Sequence, residues 1–208
     1  MAAELLPLNL TVIPDGWRLF TIRNGDKKFA AFKEAVLNRE QNRCNYCGFC
    51  SRYHQEIVNL DGNYQNNKLS NLGVACAFCA QTLFFDMVGR YEPSGGILIV
   101  LPELTQNELN AWCHVLFSAM YSGSEYATEA RTIYYQLKQR SQLLEQLLGK
   151  GMSDATLLGE ILLRGDLPNF EYFTREVKDK IRLLPLYSSF GNVLNDWAAE
   201  IKDDLKME

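Results

Sequence analysis

The spacing of apolar residues changes character along the chain. Near the start it has period two. Leu8, Leu10 and Val12 alternate with Asn9 and Thr11, and Trp17-Arg18-Leu19-Phe20-Thr21-Ile22 follows after Pro14-Asp15-Gly16. Alternation buries one face of a strand, so these runs predict two short strands joined by a turn. The period then lengthens. Phe29, Phe32, Ala35 and Val36 recur at helical steps and predict one buried helix face. Glu56 to Leu60 predicts a strand, Asp61-Gly62 a turn, and residues 63–70 a polar loop. Asn71 to Ala75 leads into a cysteine turn, Thr82 to Val88 predicts a helix, and Ile97 to Leu101 predicts a buried strand after flexible Ser94-Gly95-Gly96.

Beyond Pro102 the helical period takes over. Thr105-Gln106-Asn107-Glu108 is a capping-box sequence, whose hydroxyl and carboxylate each bond an N–H that the first helical turn leaves unpaired. Leu109, Trp112, Cys113, Leu116, Phe117 and Met120 then predict one buried face, stopped at Gly123. Further helices are predicted from about 125 to 148, from a Ser153 cap to Gly165, and from Pro168-Asn169 to Pro185 with Phe170, Phe173, Val177 and Ile181 on one side. A last one runs from about 192 to 206 with Val193, Leu194, Trp197, Ile201 and Leu205 inward. The pattern predicts an α+β fold: a front module over residues 1–101, and a helical region over residues 102–208 packed on it.

Composition and charge narrow the function. Hydrophobic residues make up 47% of 208, enough for one domain or two small ones. The net charge of −4 is uneven: residues 1–100 carry +1 and residues 101–208 carry −5. A dedicated nucleic-acid binder shows a basic excess, so no nucleic-acid partner is expected. Glu4 and Pro7 interrupt the N-terminus, where a secretory signal would need a basic stretch and an apolar core. The apolar run Ile97 to Leu101 is far short of the roughly 20 residues of a membrane span. These features predict a soluble, cytoplasmic chain with no membrane insertion, in a compartment that keeps thiols reduced.

Six cysteines carry the sharpest chemistry. Cys44-Asn45-Tyr46-Cys47 and Cys76-Ala77-Phe78-Cys79 are two C-x2-C turns separated by 28 residues. Each turn sets two thiolates on one side of a loop, and two such turns complete a tetrahedral sulfur site that suits Zn²⁺. The same geometry admits iron. Gly48 fits the sharp bend after Cys47. A disulfide, a redox pair or four buried thiols are the competing readings. A redox motif needs only one pair, near a βαβ pattern, and here there are two pairs and no such pattern. The expectation is structural zinc on Cys44, Cys47, Cys76 and Cys79. Cys50 stands at the same spacing from Cys47, but the helix entering Cys44 and the glycine at 48 favour the first pair. Cys113 reads as a buried inert thiol and His114 as core packing. His54 reads as a partly exposed polar residue. Arg39, Arg43 and Arg52 would offset the charge of four thiolates. Trp197, Phe170, Tyr172, Phe173, Tyr187 and Phe190 read as core, with a partner groove as the alternative.

The helix Ala35 to Arg43, the turn Cys44 to Gly48, the strand, Asn71-Leu72 and the second cysteine turn together resemble the HNH-type treble-clef module. That family is a ββα-metal nuclease fold with structural zinc. Its strand carries a general-base histidine, often after an acidic residue, and a His or Asn follows the last cysteine. Here those positions read Val58-Asn59 and Ala80. An amide is no base at neutral pH, and valine and alanine offer a catalytic cation no ligand. His54 lies an odd number of residues before Asn59, on the opposite strand face. The resemblance therefore implies an HNH/treble-clef-like zinc module without catalytic residues.

The whole chain, including Cys44 to Cys50, Ala75 to Cys79 and the helical second half, resembles the IcmJ/DotN family of the Dot/Icm type IVB secretion system. That resemblance implies a non-enzymatic subunit of the coupling complex, held at the cytoplasmic face of the inner membrane by its partners. It implies binding to the C-terminal extension of the coupling ATPase DotL, in one assembly with IcmS, IcmW and LvgA, in support of effector recruitment. An HNH-type metal-dependent nuclease or nucleic-acid-binding module is the alternative.

Overall fold

In the computed structural model, residues 4–207 are described, with side chains through residue 203. Its first element departs from the alternating pattern. Gly16–Asn24 is a helix, α1, where a strand was expected. Phe20 and Arg23 recur at three-residue spacing and are both buried, while Ile22 faces solvent. Phe20 packs against Trp17, Tyr64 and Phe84, and the Arg23 guanidinium lies 4.3 Å from the Phe29 ring. These aromatic partners decide for the helix. Residues 8–12 belong to no sheet. Thr11 instead exchanges backbone hydrogen bonds with Thr82 and Phe85.

Helix α2, Lys27–Arg39, lies where its periodicity placed it and starts at Asp26, whose carboxylate accepts from Lys28 N at 2.8 Å. It buries Phe29 and Val36, whereas Phe32 is exposed. Strand β1, Gln55–Asn59, pairs antiparallel with β2, Leu72–Cys76, in the register Gln55↔Cys76, Ile57↔Val74 and Asn59↔Leu72. Helix α3, Ala77–Leu83, starts directly at the second cysteine turn, earlier than expected.

Strand β3, Gly96–Val100, pairs antiparallel with β4, Ile181–Pro185. This corrects the helix expected over 169–185. Only Phe170–Tyr172, α8, is α-helical; a π-turn at Phe173–Val177 and a 3-10 turn at Lys178–Lys180 lead into the strand. Leu183 pairs with Leu98, and both are fully buried. That burial against a strand far off in sequence outweighs local helical spacing.

Helix α4, Gln106–Ser122, carries the full capping box and ends at Gly123 with φ 64°. The long helix expected next is two, α5 at Ala127–Gln139 and α6 at Ser141–Leu148. They break at Arg140, which pairs with Glu103 at 2.7 and 2.9 Å and donates to Val100 O. Helix α7, Ala155–Arg164, is capped by Asp154 in place of Ser153, and α9 spans Gly191–Met207. Trp112 and Ile201, expected inside, are exposed on α4 and α9, and Leu205 lies outside the described side chains.

The largest core cluster joins both halves of the chain. Cys44, Cys76, Phe78, Cys79 and Phe84 pack with Leu109, Cys113, Phe117, Phe190 and Trp197. A second cluster, around Leu98, Leu144, Leu158 and Leu183, underlies β3 and β4. Among the described residues, no helix is long and apolar enough to cross a membrane.

Candidate metal centre

Local backbone chemistry shapes the first cysteine turn. Gly48 N–H donates to Cys44 O at 3.0 Å, Cys44 N–H donates to Phe49 O at 2.8 Å, and Gly48 adopts φ 78°. A β-carbon at 48 would meet the Arg43 guanidinium at 3.2 Å, so the bend and the space both select glycine. Asn45, inside the turn, clips it to β2. Its N–H donates to Val74 O at 2.8 Å, its side-chain oxygen accepts from Val74 N at 2.6 Å, and its Nδ2 donates to Glu40 at 2.7 Å. Val74 lies two residues before Cys76, so this clip brings the second turn against the first. Cys76 directly precedes α3, and Cys79 lies in its first turn.

The result is one sulfur cluster. Cys44, Cys47, Cys76 and Cys79 place their sulfurs within 4.8 Å of one another, and Cys47 Sγ lies 3.6 Å from Cys76 Sγ. A tetrahedral ion with metal–sulfur distances of about 2.3 Å needs edges of about 3.8 Å, so the set fits. Burial opposes ionisation of Cys44, yet hydrogen bonds with Cys47, Cys76 and Cys79 hold its thiol well below the ordinary range. Burial, reinforced by neighbouring thiols, pushes Cys76 and Cys79 well up. Four sulfurs at these distances are a site where a cation can take the place of the thiol protons. Cys50 stands outside, exposed, with its thiol on Gln41 O at 3.4 Å. Cys113 is buried, and burial raises its pKa.

Helix α4 approaches the cluster with polar side chains. Asn107 donates to Tyr46 O at 2.7 Å. Asn110 Nδ2 lies 3.3 Å from Cys79 Sγ, and His114 Nε2 lies 3.3 Å from Cys76 Sγ. The His114 ring stacks on Phe49 at 3.7 Å and on Phe78 at 4.4 Å. Burial pushes its pKa down to about 3, with the Cys44 charge opposing, so the imidazole is neutral at ordinary pH. The sequence reading gave His114 a packing role only and passed over Asn110. The visible signal was a polar stripe, Gln106, Asn110 and His114, at four-residue steps beside an apolar face.

Helix α9 straps the loop after the first turn. Trp197 Nε1 donates to Tyr53 O at 3.2 Å, His54 Nε2 pairs with Asp196 at 2.7 Å, and Glu200 accepts from Ser51 and Arg52. Arg39 donates to Leu69 O, Leu72 O and Glu40. Of the aromatic set, Phe173, Phe190 and Trp197 are in the core, while Phe170 and Tyr172 lie at the surface.

The positions compared with a nuclease hold other duties. Val58 is fully buried. Asn59 donates to Asn63 O at 3.0 Å and Asn66 O at 2.7 Å and accepts from Arg23, so its amide pins the polar loop. Asn71 pins the same loop through Asp61 and Asn66. Ala80 instead shares a small cleft with His54 and Glu56.

No family model matches the chain. A curated relative does. The type 4 apparatus protein DotN of Legionella pneumophila subsp. pneumophila (strain Philadelphia 1) is 41% identical over 198 residues, covering 95% of this chain and 92% of that protein.

Proposed function

This chain belongs to the family of the type 4 apparatus protein DotN, and we propose that it is a zinc-stabilised, non-catalytic adaptor of a type IV secretion coupling complex. It binds the C-terminal extension of the coupling ATPase DotL, shares an assembly with IcmS, IcmW and LvgA, and supports effector recruitment. It acts in the cytoplasm, at the inner-membrane face, through those partners. Residues 1–101 form an HNH/treble-clef-like zinc module, and residues 102–208 pack on it. The 41% identity to an apparatus protein over 95% of the chain carries this reading.

Cys44, Cys47, Cys76 and Cys79 hold the zinc. The ion cross-links two turns and supplies no reaction. Such a site contributes on the order of 10 kcal/mol to folding, comparable to the ~5–15 kcal/mol net stability of a domain. A rigid module can then present a surface to a partner without ordering itself first. The amide at Asn59 and the methyl at Ala80 support a role without catalysis.

Co-purification with a C-terminal fragment of DotL, combined with elemental analysis, tests the reading. One zinc per chain in a stable complex is expected. Metal-free protein with six titratable thiols, or no complex, overturns it. Plasmid nicking with Mg²⁺ or Mn²⁺ would overturn the non-catalytic part.

A further inference from the structure

Helix α4 contributes no cysteine to the cluster, yet its buried face carries three polar side chains in a row. Gln106, Asn110 and His114 are all buried. Burying amides and an imidazole is costly unless their hydrogen bonds are made. The bonds they make form a one-way relay. Leu183 N–H donates to Gln106 Oε1 at 2.8 Å. That contact turns Gln106 Nε2 toward Leu183 O at 2.9 Å and toward Asn110 Oδ1 at 2.9 Å. Asn110 is thereby oriented with its Nδ2 on Cys79 Sγ. The backbone of β4 thus decides which end of Asn110 faces the sulfur.

His114 is aimed as definitely. Phe49 and Phe78 hold its ring plane. Its Nδ1 is buried without a hydrogen-bond partner, so the sulfur of Cys76 is the polar contact that its Nε2 has. A leucine would fill this space without an orphaned nitrogen. Facing a thiolate, the neutral imidazole places its proton on Nε2, since the other tautomer would set a lone pair against the sulfur and leave a buried N–H unpaired, so what it adds is one N–H directed at Cys76.

We infer that Asn110 and His114 are positioning residues of the metal centre, whose N–H groups hold Cys79 and Cys76 toward the ion and set how slowly it is released. This rests on the zinc reading above. A Zn²⁺ ion with four thiolates carries excess negative charge in a buried place. N–H donors draw off part of that charge and make the sulfurs poorer targets for protons and electrophiles. Both donors act on the second cysteine turn, and both come from the helical region. Metal retention in the front module is therefore governed by whether α4 is seated.

The test uses the full chain with Asn110→Leu and His114→Phe, which remove the donors and keep the size and the stacking. Zinc release to a coloured pyridylazo chelator should be about 10- to 100-fold faster in each variant. The sulfur-to-metal charge-transfer band of the cobalt-loaded protein should move to lower energy, because the thiolates lose their donors. Leu158→Ala, in the core cluster that holds no cysteine, should lower the melting temperature and leave both readouts at the wild-type value. If a variant does not fold, Gln106→Leu reads the same relay one bond earlier and should speed release several-fold. Wild-type release rates and an unshifted band in the variants would overturn the inference while leaving the zinc reading intact. A wild-type chain that takes up neither metal would instead overturn the zinc reading itself.

Discussion

The described residues contain two small antiparallel ribbons of equal length, and they are held by opposite means. A two-stranded ribbon is marginal on its own in water. The β3–β4 ribbon is covered by apolar side chains: Leu98 and Leu183 face Leu144 and Leu158 in one cluster. The β1–β2 ribbon also has an apolar side, with Ile57, Leu72 and Val74 under Phe29 and Val36. Its far end, however, runs into four cysteines, and its near end opens into a loop pinned by asparagines. Oil stabilises one ribbon, and sulfur and amides finish the other. The difference teaches that stability here is locally sourced, so each ribbon should fail to a different insult.

Metal removal is the strongest insult. Cys76→Ser, or a strong chelator on the native chain, removes a contribution of ~10 kcal/mol from the front ribbon. Hydrogen exchange should show β1 and β2 amides losing protection while β3 and β4 amides retain theirs, and the proposed co-purification with DotL should be lost. Acid should act in the same direction, because protons compete with the ion for thiolates. Equal loss of protection in both ribbons would break the comparison. An unchanged melt for Cys76→Ser would remove its basis.

The converse substitution is Leu98→Ala. Leu98 is fully buried opposite Leu183, so its truncation leaves a cavity and should cost about 2–5 kcal/mol. Chemical denaturation measures that loss. Metal content should stay at the wild-type ratio, because none of the four clustered cysteines sits in this core.

Gly48→Ala is milder and falls on the front side. It forces an L residue to φ 78° and brings a methyl against Arg43, for a cost of about 1–2 kcal/mol. Metal release should quicken, since the bend orients Cys47.

What the sequence showed and hid follows the same divide between local and distant causes. The cysteine pairs, the capping box at Thr105 and the Gly123 stop depend on a few adjacent residues, and each was legible. Helix α1 was not, because its decisive residue is Arg23. A charged side chain reads as exposed until Ile57 O, Asn59 and the Phe29 ring are brought beside it. Strand β4 was hidden because its partner β3 lies on the far side of five helices. The break at Arg140 depends on Glu103 and Val100, again far away in sequence. Asn110 was half-visible: its position in a polar stripe could be read, but not the sulfur that it meets.

The smallest effect should come from a cap on the apolar side. Asp154 accepts from Leu157 N at 3.0 Å at the start of α7. Asp154→Ala leaves that N–H to water and should cost about 1 kcal/mol. Helix α7 packs through Leu158 into the cluster beneath β3, so the loss should appear as faster exchange at the first turn of α7 and in β3. The front ribbon shares none of these contacts, and its amides and its metal should not respond. A response there, at so small a perturbation, would mean that the two ribbons unfold as one unit through the core they both border. Sulfur and oil would then be two supports of a single cooperative structure.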